Sequence, residues 1–330
     1  MKKSVYLIQS GELKRKDNTL FFEGVEGRKF IPVEDTKEIM IFGEVDINKS
    51  LLEFCTQKEI ILHFFNYYGY YVGTYYPREH YNSGYMILRQ ADHYSSYEKR
   101  LLLARLFVEG AVQNILRVLK YYRSRGKDVS AYIEAIEAHD LKNLEVASVN
   151  QLMAYEGNIR ETYYKSMDCI INQPDFEFNQ RTRQPPNNRL NALISFGNTL
   201  LYTQILSEIY QTHLDPRIGF LHTTNFRRFS LNLDVAEIFK PILVDRTIFS
   251  LLGRKQLTKK DFIKEGGGIW LSEKGKRTFL AEWEGRLATT IKHRSLKREV
   301  SYRRLLRLEL YKLEKHLMGE KQYEPFEAQW

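Results

Sequence analysis

Residues 216–246 read PRIGFLHTTNFRRFSLNLDVAEIFKPILVDR, and the rest of the chain is organised around them. They hold one histidine, His222, two acids spaced i, i+3, Asp234 and Glu237, and a further acid, Asp245. A basic pair, Arg227 and Arg228, lies between the histidine and the acids. Asp234-Val235-Ala236-Glu237 has the spacing of a capping box, an acceptor at the helix start followed three residues later by Glu. Pro241 cannot donate the hydrogen bond that the Glu237 carbonyl expects, so the helix is expected to kink or restart there. On spacing alone the plain reading is the simpler one, a capped helix after a loop with His222 as an ordinary loop histidine.

Working outward, 330 residues are long for one core and suggest two domains. An apolar fraction of 43% with 28% charged residues describes a globular protein and excludes a disordered one. The net charge of +9 speaks of partners and not of fold; nucleic acid and an anionic membrane surface both suit it. Cys55 and Cys169 are far apart and in no paired motif, which argues against a zinc site or a disulfide scaffold and fits a reducing compartment. The basic start lacks the apolar core of a signal peptide, and no apolar run approaches the roughly 18 residues of a membrane span. A cytoplasmic protein with no membrane association is expected.

Residues 1–78 read as β-rich. Short apolar or alternating runs fall at 4–9, 19–23, 29–33, 37–42, 60–65 and 70–76, with a short helix at 48–57. The tyrosine pairs around Gly69 and Gly73 suit base stacking, but cross-strand packing within a small sheet explains them as well. A polar segment at 79–84 is taken as the linker, and from residue 85 the apolar pattern is helical almost to the end. On the helix over 144–171, Val149, Leu152, Met153, Ile159 and Tyr163 make an apolar stripe that also contains Glu156. A carboxylate there wants a cation, and a metal ion and a salt bridge to Arg160 at i+4 both supply one. A polar loop at 174–189 leads into an apolar helix at 189–213. Gly266-Gly267-Gly268 lacks the spacing and the Lys-Ser/Thr of a P-loop. From Arg286 to Arg307 a basic run, including Arg294, Lys297 and Arg298, is expected on helix, and the tail after Met318 is expected to be loosely held.

Three motifs together resemble a known family. LMAYEGNIRETYY (152–164), NALISFGNTLLY (191–202) and GFLHTTNFRRFSLNLDVAEIFKPILVDR (219–246) are similar, in order and spacing, to the CRISPR adaptation integrases called the "Cas one" family. The resemblance covers essentially the whole chain. It implies an α+β fold in two domains, a small N-terminal β-sheet domain that dimerises, followed by a larger all-α catalytic domain over 85–330. It also implies that Glu156, His222 and Glu237 bind a divalent metal, with Asp234 as a supporting acid. Many family members have Asp at the position of Glu237, which puts the denticity of that ligand in question.

The implied reaction is spacer acquisition: a protospacer 3′-hydroxyl attacks a phosphodiester at the leader–repeat junction, and water in its place gives an endonuclease. Two carboxylates and an imidazole suit Mg²⁺ or Mn²⁺. The implied partners are double-stranded and branched DNA, a second copy of the chain, and a small bridging subunit, "Cas two". Arg227, Arg228, Arg294 and Arg298 are the candidates for DNA contact. The alternatives from other classes are a metal-dependent structure-selective repair nuclease and a non-catalytic nucleic-acid-binding protein whose acids are only caps and ion pairs.

Overall fold

The computed structural model describes residues 2–77, 81, 83–139, 148–222, 229–293 and 296–329. It divides into two compact units, Met1–Tyr81 and Asn82–Trp330.

The first unit holds two four-stranded sheets. One has the order β1 (Lys3–Leu7), β5 (Thr36–Ile41), β7 (Ile61–Phe65), β8 (Tyr71–Tyr75), parallel except for the β7–β8 pair. The other runs β4 (Gly27–Ile31), β3 (Thr19–Gly24), β2 (Gly11–Lys16), β6 (Val45–Asp46). The helix α1 (Lys49–Lys58) starts at Asn48, whose side chain accepts from the Leu51 N–H at 3.0 Å. Alternation along the strands sends Leu13, Leu20, Phe22, Ile31, Ile39, Ile41 and Leu62 into one core with Leu51 and Phe54 of α1. The strand β2 is not among the runs expected from sequence: GELKRK carries one apolar residue, and only pairing with β3 makes it a strand. Tyr71 and Tyr75 close local bonds, Tyr71 to Thr74 and Tyr75 to Thr56.

The second unit is helical, with two small hairpins. Its helices are α2 (Gly84–Ser95), α3 (Tyr97–Arg123), α4 (Ser130–Glu137), α5 (Val149–Ile171), α6 (Arg189–Ile209), α7 (Leu231–Phe239), α8 (Arg246–Gly253), α9 (Glu273–Ala288) and α10 (Tyr302–Leu317). The long apolar period from residue 85 is broken once, where Ser96 ends α2 and caps α3. Between α7 and α8 the chain widens into a π-helical segment, Lys240–Asp245, with Pro241 at its second position. The missing proline N–H and the crowding of its ring against the Glu237 carbonyl account for that widening.

Two expectations for this unit fail. Residues 286–307 are not one helix: Thr290–His293 (β11) pairs antiparallel with Arg298–Ser301 (β12), and α10 begins only at Tyr302. Thr290, Ile291 and Val300 favour strand, and Lys297 takes φ +49 in the turn, which no helix allows. The glycine triplet likewise serves a hairpin between β9 (Phe262–Glu265) and β10 (Gly268–Leu271). Gly266 and Gly267, both at positive φ, make its tight turn.

The tail is the other correction, because it is firmly held. Tyr323 and Ala328 are buried, and Phe326 stacks on Phe239 with ring centroids 5.5 Å apart. Asn114 of α3, wholly buried, donates to Phe326 O at 2.8 Å and Ile238 O at 3.0 Å, and accepts from the Ala328 N–H at 2.8 Å. The Tyr323 hydroxyl and the Phe326 N–H both reach Glu309 Oε1, at 2.7 and 2.9 Å. Polar composition misleads here, because a few tail side chains and the backbone supply the contacts.

Candidate active site

The turn that carries His222 is built by its neighbours. Gln90 of α2, buried, accepts from the Asp215 N–H and donates to the carbonyls of Asp215 and Ile218. Arg100 of α3 donates to Phe220 O at 3.0 Å. Gly219 donates to Ser230 Oγ, and a methyl group there would lie 2.8 Å from Asp234 Oδ2. Only glycine lets the turn come this close to α7.

Asp234 is fully buried and is not the helix cap that its spacing suggested; Ser230 precedes the first turn of α7. Its carboxylate instead turns outward to the loop. Oδ2 accepts from the N–H groups of Phe220 at 2.5 Å and Leu221 at 3.0 Å, and Oδ1 from the N–H of His222 at 2.9 Å. These donors would otherwise be buried without partners, which is why the acid faces them. Oδ1 also lies 2.8 Å from His222 Nδ1. An ionised carboxylate only accepts, so Nδ1 carries the proton and Nε2 keeps its lone pair for a metal or a proton.

Glu156 on α5 and Glu237 on α7 meet through one guanidinium. Arg160 Nε donates to Glu156 Oε1 at 2.8 Å, and Arg160 Nη2 donates to Glu237 Oε2 at 2.5 Å. Lys240 Nζ, one turn beyond Glu237, donates to its Oε1 at 2.5 Å and sits 5.1 Å from the Tyr202 ring centroid. Burial by itself would raise the Glu237 carboxyl, but Lys240, then Arg160, hold it down to about 2. Lys240 is in turn pushed above the ordinary lysine range, its burial outweighed by Glu237. Behind this pair, burial pushes Asp245 up to about 7 against the pull of Arg160. The Tyr163 hydroxyl lies beside the Asp245 carboxyl, and Arg160 Nη1 is buried there without a hydrogen-bond partner.

Of the three residues expected to hold a metal, Glu156 and Glu237 share the Arg160 guanidinium, and Asp234 ties the 219–222 turn that carries His222 to α7. Among the described residues, no three acids, histidines or cysteines stand grouped closely enough to hold a metal ion as they are. Arg160 lies between two of the donors. The donor chemistry itself fits a hard divalent ion: two carboxylates and an imidazole whose Nδ1–H is fixed by an acid. The i+4 pair of Glu156 and Arg160, left open on sequence grounds beside a metal ion, is present. Its extension to Glu237 is not visible in sequence, since 77 residues separate Arg160 from that acid. Lys240 was missed as well, although its i+3 spacing from Glu237 was a usable signal.

Arg227, Arg228 and Arg294 lie outside the described residues. Arg298 is exposed on β12 and, being on a strand, makes no helical i, i+4 row with position 294. Arg303 and Arg307 point inward, to Glu284 and Gln204 and to Glu208 respectively, so neither belongs to a solvent-facing basic row.

The profile of the family described as CRISPR associated protein Cas1 matches residues 5–285. The chain belongs to the Cas1 family. It is 60% identical over 330 residues to CRISPR-associated endonuclease Cas1 2 of Thermodesulfovibrio yellowstonii, covering 100% of both proteins. It is 52% identical over 317 residues to CRISPR-associated endonuclease Cas1 of Thermotoga maritima, covering 96% of this chain and 97% of that protein. The solved structure of a Cas1 protein from Thermotoga maritima matches it with a TM-score of 0.86 at 50% identity, over 98% of this chain and 100% of that one. A casposase bound to its integration product, 20% identical, shares the fold with a TM-score of 0.88 over 100% of this chain and 95% of its own. The two-domain α+β architecture is thus that of Cas1, and no helix among the described residues is long and apolar enough to cross a membrane.

Proposed function

We propose that the protein is a divalent-metal-dependent DNA endonuclease and integrase of CRISPR spacer acquisition, joining protospacer 3′-hydroxyl ends to the leader–repeat junction by transesterification. The observation that carries this reading is the contact of His222 Nδ1 with Asp234 at 2.8 Å, which leaves Nε2 as the ring nitrogen that a metal would take. Glu156, His222 and Glu237 would hold Mg²⁺ or Mn²⁺. Once bound, the metal supplies charge stabilisation at the phosphate and orients attacking and leaving oxygens. The chain's own residues do the rest: Asp234 fixes the imidazole, and Lys240 and Arg160 place positive charge beside the reacting phosphate. No serine, tyrosine or cysteine is needed as a nucleophile.

In this reading the protein acts in the cytoplasm as a homodimer through its N-terminal unit, and a small Cas2 subunit bridges two dimers. Double-stranded and branched DNA are the partners, and Arg298, exposed on its hairpin, joins Arg227, Arg228 and Arg294 as a backbone contact. The test is integration of a short duplex into a leader–repeat plasmid, with and without the bridging subunit, in Mg²⁺, Mn²⁺ or chelator. Integrated product that needs the metal supports the reading. Equal product in chelator, or none under any condition alongside intact DNA binding, overturns it.

A further inference from the structure

Arg160 has no task in metal binding, yet it is a buried cation held between two acids. Its side chain is 9% exposed and is held between acids of two different helices, Glu156 of α5 and Glu237 of α7. Lys240 takes the remaining oxygen of Glu237. The two carboxylates are therefore met by two buried cations. A divalent ion that takes oxygens from both acids must displace the guanidinium and then sit beside an ammonium. Where water is excluded, that competition and repulsion are strong. The third guanidinium nitrogen, Nη1, is buried without a partner, so Arg160 is not fully satisfied where it stands.

We infer that Arg160 is an internal counter-ion that competes with the divalent metal for Glu156 and Glu237, so that the protein alone holds the metal weakly and a DNA phosphate completes the site. The inference rests on the metal reading above. A phosphate drawn to Arg160 and Lys240 takes over their charge, offers the planar fork of the guanidinium a matching acceptor, and frees carboxylate oxygens for the ion. Metal loading is thereby tied to DNA arrival, and the protein without DNA is kept from idle cleavage. In this account Arg160 holds the two acids before DNA arrives and contacts the phosphate afterwards.

The test measures Mn²⁺ binding by the full-length protein, from the paramagnetic signal of the free ion, with and without a short duplex. Without DNA, Arg160→Met is expected to bind Mn²⁺ about tenfold or more tightly than the unaltered protein, and Arg160→Lys to stay close to it. The duplex should tighten Mn²⁺ binding by the unaltered protein clearly more than by Arg160→Met. Melting curves in chelator and in Mn²⁺ give an independent readout, in which Arg160→Met gains more from the metal than the unaltered protein does. Arg160→Gln carries the same comparison where Arg160→Met does not fold. If the folded variant binds Mn²⁺ no more tightly, Arg160 is only a strut between α5 and α7 and the inference falls, while the metal reading stands. If Glu156→Ala binds Mn²⁺ as well as the unaltered protein does, the ligand assignment itself is wrong, and the inference goes with it.

Discussion

His222 is held by Asp234 at two points, its ring Nδ1 at 2.8 Å and its backbone N–H at 2.9 Å, both on the same carboxylate oxygen. The acid thereby sets the tautomer and the direction of the ring together. Asp234→Asn keeps the shape but removes the charge and one acceptor. Activity is expected to fall roughly 10–100-fold, the usual cost of losing the residue that orients a metal-bound imidazole. A strand-cleavage assay beside a melting curve checks it. Full activity in a folded variant would show that the ring is oriented by something else.

His222→Ala removes one proposed ligand and leaves the charge of the surface unchanged. Cleavage and integration are expected to disappear while duplex binding persists, because phosphate contacts elsewhere supply the affinity. Binding and cleavage measured on the same preparation separate the roles. Loss of both to the same degree, with a lowered melting temperature, would assign His222 to folding.

Much of this site is legible in the amino-acid sequence, and the reasons differ by residue. Glu156 can be singled out because a carboxylate on an apolar helical stripe needs a partner, a purely local argument. His222 and Glu237 come from the family resemblance, since spacing alone leaves His222 as an ordinary loop histidine. Asp234 is located by its spacing but misread as a cap, because its true partners are N–H groups of a turn 12 to 14 residues upstream. The Arg160–Glu237 bridge is a contact across 77 residues, and no periodicity encodes it. The same limit explains the strand β2 and the hairpin at 290–301. Both are set by pairing partners, while their composition looks polar or basic.

Asp245 makes a prediction about pH. Burial raises its carboxyl from 3.8 to about 7, so the folded protein binds a proton that the unfolded chain has already lost between those values. The stability this contributes is fully present below the unfolded value and is lost as pH rises through about 7. Asn, which cannot ionise, has no such term. Asp245→Asn should therefore gain stability relative to the unaltered protein as pH rises from about 4 to about 7, by up to about 4 kcal/mol in all, with no further gain above that. Denaturant titrations of both proteins across that range measure the difference. A difference that stays flat would mean that Asp245 is ionised throughout, neutralised by Arg160.

The buried tail predicts that the last residues of the chain support the active site. Asn114 joins the tail to Ile238, the residue that follows Glu237, and every bond it makes is to backbone. Asn114→Ala takes a hydrogen-bond partner from two carbonyls and one N–H in the interior. At about 1–3 kcal/mol for each buried polar group left unpaired, with partial relaxation, a loss of roughly 2–5 kcal/mol is expected. Ending the chain after Gly319 removes Tyr323 and Phe326 together and uncovers Phe107 and Phe239, their ring partners. That truncation is expected to cost at least as much as Asn114→Ala, and to lower cleavage because α7 loses the contact beside Glu237. Melting temperatures of the two variants, alone and combined, decide the matter. If the tail and Asn114 act as one unit, the combined variant melts no lower than the truncation. A truncated protein that melts with the full chain would return the tail to the loosely held segment that its composition suggests.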